Sequence, residues 1–395
     1  MKRRTPLVFL ALVLGTAQAA EVSIMTSFQG PEYAWLQDVI SRYNASQKQD
    51  QVRSLLTGFD ALKPKLLEAK NGKSADLVGP LPHDQLGELV AAGVLESLDS
   101  YTPGKNTLKV ALRGFSYQGK LYGLPLAAES VAVLYNTKML PTFPTNWADF
   151  IGVAQKYTDP EKKTYGFLAD LGNAYMQYGL FSAYGGYVFG EKQGKLDVQD
   201  LGIANAGSAR ALSLIGDLKF KYGLIPEGMN PGDAKKAFLR GDVAMYLTGP
   251  WDLGDIKTAR IPIGIASLPK PPQASAEWSP FVGVQGVVMN RYSPNKAAAA
   301  RFVQFLTSPE NQVALNKAGG RIPVSKKAIN ALRGDNVVVG FSKTITSGTA
   351  MPNVPQMGIV WGPWNAALDQ ATKKTGADAA ALLSSAAKEI RLNLK

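Results

Sequence analysis

Cysteine is absent from the 395-residue sequence. Its absence excludes disulfides, thiolate metal sites and the lipid-modified N-terminal cysteine that tethers many exported proteins. Histidine occurs once, as His83, so a Ser-His-Asp nucleophile or a histidine-rich metal centre would have to be built on that residue alone. Its setting, Leu81-Pro82-His83-Asp84, reads as the start of a helix instead. No GxGxxG and no GxxxxGK followed by Ser or Thr comes after a strand-like run, and no cofactor is expected. Long apolar runs are also missing. The stretch Leu7 to Leu14 follows Lys2, Arg3 and Arg4 and precedes Ala17-Gln18-Ala19, which is the pattern of a secretory signal cleaved after Ala19 and is too short for a retained bilayer anchor. Export to a periplasm is therefore expected, with residues 1–19 outside the fold.

What is present describes a folded, soluble chain. Hydrophobic residues make up 46% and charged residues 19%, over a length sufficient for two domains with separate cores. The net charge of +12 is dispersed, with cations meeting only in short pairs such as Lys162-Lys163 and Lys326-Lys327. Scattered charge of this kind solvates a surface, and no nucleic-acid partner is expected.

Along the chain, Glu21 to Ser27 alternates apolar and polar residues as a strand does. Pro31 opens a helix with Tyr33, Leu36, Val39, Ile40 and Tyr43 on one face, and strand, helix and strand follow to Val78. This βαβαβ order predicts a mostly parallel sheet flanked by helices, an α/β class of fold. Ligands gather at the loops after strand carboxyl ends in such sheets. Three loops qualify: Phe28-Gln29-Gly30, Gly58-Phe59-Asp60 and Gly79 to Gln85, and they put forward Gln29, Asp60, Asp84 and Gln85 as candidates. Residues 117–136 then form a strand-like stretch that carries Glu129 among small and apolar neighbours, as if leaving one folding unit for another. Beyond it the order of elements restarts, and the proline-rich Pro269 to Pro272 ends a unit as a linker or a surface loop.

Candidate chemistry narrows to two kinds. Paired carboxylates, Glu129 with Asp84 or Asp60, could hydrolyse glycosides without histidine. Alternatively, flat aromatic faces beside hydrogen-bonding side chains suit a sugar, whose C–H face stacks while its hydroxyl rim is hydrogen-bonded. Trp251, Trp361 and Trp364 sit at loop–helix junctions, and Asn173 and Tyr175 start an aromatic helix. Any one of these tryptophans taken alone reads better as core.

Several ordered segments resemble the maltose/maltodextrin-binding proteins of bacterial ABC importers, within the extracellular solute-binding proteins. They are YQGKLYGLPLAAESVAVLYN from 117, GGYVFGEKQGKLDVQDLGIANAG from 185, RGDVAMYLTGPW from 240, PFVGVQG from 280, SPNK from 293 and MPNVPQM from 351. The resemblance implies a two-lobed clamp with three hinge crossovers, residues 20–127 and 286–332 forming one lobe and 128–285 and 333–395 the other. It also implies a monomer that closes on maltose or maltodextrin and delivers it to a membrane permease, with no enzymatic activity. Glu129 matches the family's acid for sugar hydroxyls, Trp251 and Trp361 its stacking aromatics, Tyr175 its helix-start aromatic and Asp84 its first-lobe aspartate. The chain departs from the best-known pattern where that pattern has Asp-Arg and this sequence has Asp84-Gln85, an acid and this sequence has Asn173, and Asp-Lys and this sequence has Phe28-Gln29. With fewer charges at these positions, trehalose or sucrose stays open as a ligand; a polyamine or ferric ion suits the Trp-Gly-Pro contexts less well.

Overall fold

The computed structural model describes residues 19–72, 74–100, 106–192 and 195–394. Residues 1–18, most of the expected leader, and the polar stretch Tyr101-Thr102-Pro103-Gly104 lie outside the described residues. Two sheets organise the chain. The larger runs Ile322–Pro323, Gly123–Ser130, Phe281–Met289, Leu77–Pro82, Ala20–Thr26, Asp50–Leu56, with Thr349–Ala350 attached alongside Phe281 and Val282. The smaller runs Ile263–Ala266, Ala132–Asn136, Val243–Thr248, Tyr165–Leu168. Each is covered by helices and has its own hydrophobic core, so the molecule is a two-lobed α/β clamp.

The first lobe follows the periodicity closely. Ala20–Thr26 pairs in parallel with Asp50–Leu56 on one side and Leu77–Pro82 on the other. Helix Gly30–Ser46 has Pro31 in its first turn and buries Trp35, Leu36, Val39, Ile40 and Tyr43, spaced to form one face. The sheets are mixed rather than mostly parallel. Phe281–Met289 runs antiparallel to both its main neighbours, and in the smaller sheet only Val243–Thr248 with Tyr165–Leu168 is parallel. The physical reason is the connectivity: strands that return across the hinge enter without a helical crossover, and parallel pairing needs one.

The stretch 117–136 resolves into a short hairpin, Ser116–Tyr117 with Lys120–Leu121, and two longer strands separated by Val131. Gly123–Ser130 belongs to the larger sheet and Ala132–Asn136 to the smaller, so the chain changes lobes at the fully buried Val131. It returns before Phe281, where Ser130 Oγ donates to the Phe281 carbonyl at 2.8 Å and ties the two crossing strands together. Sheet membership therefore changes a few residues away from the expected limits at 127/128 and 285/286. The proline-rich segment is an anchored loop: Tyr184 Oη donates to the Pro272 carbonyl and the Ala276 amide to that of Ala183. After helix Pro309–Gly319 the chain adds an edge strand, Ile322–Pro323, against Ala127 and Ala128.

Candidate functional site

A cavity of about 580 Å³ opens between the lobes. From the larger-sheet side it is lined by the ends of three strands, as the strand-end rule anticipates: Ser27 and Phe28, Phe59 and Asp60, and Pro80, Pro82, Asp84 and Gln85. The crossing strands add Glu129 and Gln285, and Arg321 completes this wall. The opposite wall is aromatic, made by Tyr175, Trp251 and Trp361, with Asn173 and Asn365 between them.

Local chemistry fixes each aromatic. Asn173 caps helix Ala174–Ala183, its Oδ1 accepting from the Tyr175 and Met176 amides, while Asn365 Oδ1 accepts from Ala174 N–H at 2.8 Å. Tyr175 is thereby set at the helix mouth, 6.1 Å from Trp251 between ring centroids. Trp251 folds back over Gly249, where a Cβ would run into the indole ring, so a larger residue there would push the tryptophan out of place. Its turn is held from beneath by Asp252, which accepts from Thr248 Oγ1 and Tyr246 Oη and pairs with Lys235 at 2.8 Å. Trp361 begins helix Trp361–Lys373 and donates its Nε1–H to Asp84 Oδ2 at 3.0 Å, a bond from one wall of the cavity to the other.

The polar wall is an ion-pair network. Glu129 is 6% exposed; its Oε1 accepts from Gln285 Nε2 at 2.6 Å and its Oε2 from Arg321 Nη1 at 2.8 Å. The rest of the guanidinium engages Glu32, through Nε at 2.6 Å and Nη2 at 3.1 Å. Burial raises the Glu129 and Asp84 carboxyls above the usual carboxylate range, against the pull of Arg321 on the first and of the Trp361 N–H on the second. Burial likewise drives the Tyr175 phenol well up, helped by the charges of Glu129 and Asp84. Burial alone would depress Arg321, but Glu32 and Glu129 raise it further above its ordinary value. Gln85 Oε1, Gln285 Oε1 and Tyr175 Oη are buried with no protein partner, an arrangement that suits a ligand bearing hydroxyl groups.

His83 stands behind this wall rather than in it. The Val284 amide donates to its Nδ1 at 3.0 Å and its Nε2 lies 3.1 Å from the Met351 carbonyl. Those partners assign a neutral ring protonated on Nε2, and burial lowers its pKa despite the neighbouring Asp84. The residue joins a strand end, a crossing strand and the loop at Met351.

Of the candidates read from sequence, Glu129, Trp251, Trp361, Tyr175, Asp84, Asn173, Gln85 and Asp60 come together in the cavity, Asp60 at its exposed rim. Two do not. Trp364 is fully buried, packed edge-on against Phe181 and Tyr178 in the core of the smaller-sheet lobe. Lying one helical turn after Trp361, it shares that residue's helix face and stacks on its ring at 6.4 Å, but a turn deeper in the lobe, beneath the tryptophan that lines the cavity. Gln29 is exposed and outside the lining; its carbonyl accepts the first amides of the following helix, and the chain's turn carries its side chain to solvent. Sequence reading missed Phe28, Gln285, Arg321 and Asn365. Gln285 had a local signal, a lone amide between Gly283 and Gly286 in an apolar strand, and Asn365 lies one turn beyond Trp361.

A two-lobed fold with an amphipathic cavity at its hinge defines a ligand-capturing clamp. The chain belongs to the bacterial extracellular solute-binding proteins, whose family model matches residues 39–353. It is similar to the structure of the Thermus thermophilus maltotriose binding protein bound with maltotriose, at 42% identity and a TM-score of 0.91, covering 95% of this chain and all of that one. A maltotriose-binding protein of Pyrococcus abyssi is 33% identical over 330 residues, 79% of this chain and 69% of its own length. A maltooligosaccharide ABC transporter solute-binding lipoprotein of Streptococcus pneumoniae is 29% identical, over 92% of this chain and 89% of the lipoprotein.

Proposed function

We propose that this protein captures maltose or a longer maltodextrin between its lobes and delivers it to an ABC permease in the inner membrane. The observation that carries this reading is the division of one cavity into an aromatic wall and a wall of buried hydrogen-bonding groups, Glu129, Asp84 and Gln85. Glucosyl rings present the matching pair of surfaces, an apolar face and a hydroxyl rim. The names of the similar proteins above, all binders of maltotriose or maltooligosaccharides, support the same ligand class. Capture proceeds by hinge closure: contacts to both walls exist together only in the closed state, so ligand selects it. Glu129, Trp251, Trp361, Tyr175, Asp84, Asn173, Gln85 and Asp60 are the binding residues in this reading.

Calorimetric titration with maltose, maltotriose and trehalose tests it. Heat with the α-1,4-linked sugars is expected; no heat with any α-glucoside sinks the reading, and heat with trehalose alone reassigns the ligand. The protein acts without hydrolysing its sugar: both Glu129 oxygens are already engaged by Arg321 and Gln285 and Asp84 holds the Trp361 indole. Shorter products after incubation with maltotetraose contradict this. The working form is a monomer in the periplasm beginning at Ala20, and the intact mass of exported protein checks the cleavage site.

A further inference from the structure

We propose that Arg321 is a positioning residue for sugar capture: anchored on Glu32, it orients Glu129 in the cavity and keeps that side chain an acceptor. The inference rests on the reading of Glu129 as a ligand contact.

The geometry separates this role from that of a plain ion pair. Glu32 already satisfies the guanidinium through two N–H groups, at 2.6 and 3.1 Å. A bidentate carboxylate is a complete partner for arginine, and adding a second buried carboxylate costs desolvation without being needed for the fold. Yet the third arm, Nη1, is aimed at Glu129 Oε2 at 2.8 Å, and Arg321 itself lines the cavity. The anchor is built for this. Glu32 sits in the first turn of helix Gly30–Ser46, and a Cβ on Gly319 would fall 2.3 Å from its Cγ, so the glycine leaves room for the carboxylate under the guanidinium. Gly320 then turns the chain with φ of +80°, and Arg321 enters the edge strand that pairs beside Glu129. Gln285 takes the other oxygen at 2.6 Å, which pins the carboxylate from both sides and leaves each oxygen of this cavity-lining residue with acceptor capacity to spare.

The charged and titratable groups facing Glu129 are Arg321, Glu32, Asp84 and Tyr175, with the neutral His83 behind Asp84. Arg321 is the one cation among them. Without it Glu129 would share a dry site with two other carboxylates, its proton affinity would rise, and a protonated Glu129 would present a hydroxyl where sugar hydroxyls need an acceptor.

The test is maltotriose titration between pH 5.5 and 8.5 for wild type, R321Q, R321K, E32Q, E129Q and R321Q/E129Q, with melting temperatures for each. R321Q should bind about tenfold more weakly or worse at pH 7. Its affinity should climb with pH through a midpoint above that of wild type, and R321K should recover part of the loss. In the E129Q background the same substitution should change affinity little and the pH dependence should vanish. R321Q with a lower melting temperature but wild-type affinity and pH profile overturns the proposal, as does an equal loss of affinity in the E129Q background. If R321Q does not fold, R321K and E32Q carry the same comparison against E129Q. No maltotriose heat from wild type overturns the binding reading itself; heat from wild type with insensitive Arg321 variants overturns this role alone.

Discussion

The two walls of the cavity are built from opposite materials. The larger-sheet wall holds Glu129, Gln285, Arg321 and Glu32 in a network whose members fix one another through bonds of 2.6 to 3.1 Å, with Asp84 beside it. The smaller-sheet wall holds Tyr175, Trp251 and Trp361, fixed by caps, glycines and packing. One wall recognises by direction, because hydrogen bonds are steep in angle; the other by area, because stacking is tolerant of rotation. Neither suffices for a sugar, which is polar at its rim and apolar on its face. Splitting the two functions between lobes makes closure a condition of tight binding, and this is what allows a bound ligand to be signalled by shape. Among the described residues the Trp361–Asp84 bond joins the walls directly.

The comparison is broken most severely at the two tryptophans one turn apart. Trp364→Ala removes a fully buried indole from the core and should cost about 3–5 kcal/mol of stability, read as a lower denaturation midpoint. Trp361→Ala should leave that midpoint much closer to wild type and weaken sugar binding by about 1–3 kcal/mol, through lost stacking and the lost bond to Asp84. If the two variants exchange their effects, the aromatic wall has been drawn at the wrong turn of the helix. Trp251→Ala belongs with Trp361→Ala, and an unchanged affinity would return it to the core.

Glu129 sharpens the other side. Glu129→Ala leaves the third arm of Arg321 and the amide of Gln285 without their acceptor, a cost to stability, and should weaken binding by about 1.5–3 kcal/mol, the scale of a sugar hydroxyl's lost hydrogen bond to a charged group. Glu129→Gln should cost less because the amide oxygen still accepts. Equal losses in calorimetry would mean that charge, not hydrogen bonding, is what this wall contributes.

A smaller effect concerns pH. His83 is neutral in the fold and its pKa is lowered from 6.5 by burial. An unfolded chain then binds the extra proton first, so the stability His83 contributes is whole above about pH 6.5 and falls away as pH drops toward the folded value. Asp84 and Glu129, raised by burial, act in the opposite sense: the folded state holds their protons longer, which adds stability as pH falls through their folded pKa values. Thermal melts from pH 7.5 to 5.5 should show His83→Gln declining less than wild type, since glutamine can still accept from Val284 and donate to Met351. Parallel curves for the two proteins would remove His83 from the pH response.

Much of the polar wall could be read along the chain because it comes from strand ends. Period-two alternation located the first strand and the βαβαβ order the next two, and the loops after the second and third carried Asp60, Asp84 and Gln85 to the cavity. Glu129 stood out as a lone acid in an apolar strand. Arg321 could not be read this way: it is one of 43 cations, and its partners Glu32 and Glu129 lie 289 and 192 residues away. Trp364 failed for a related reason. A helix start announces that a junction is near, but which side of it faces a cleft depends on the neighbouring lobe, and burial against Phe181 is a tertiary fact. The antiparallel returns across the hinge were likewise invisible, since a strand's pattern records burial and not direction.

The smallest expected effect lies at the edge of the polar wall, where Phe28 and Gln29 are neighbours with opposite fates. The strand ends at Thr26, whose Oγ1 accepts the Phe28 amide at 3.2 Å and turns the chain inward for one residue. Phe28 packs edge-on against Trp35 at 5.7 Å, and the next residue is thrown to solvent as the helix begins. Gln29 contributes its carbonyl to the helix start, while its side chain makes no capping bond. Gln29→Ala keeps that carbonyl, so sugar affinity and stability should both stay within about 0.5 kcal/mol of wild type. A weakening of maltotriose binding beyond that would mean that the polar wall extends past the cavity rim when ligand is held, and Gln29 would rejoin the binding residues.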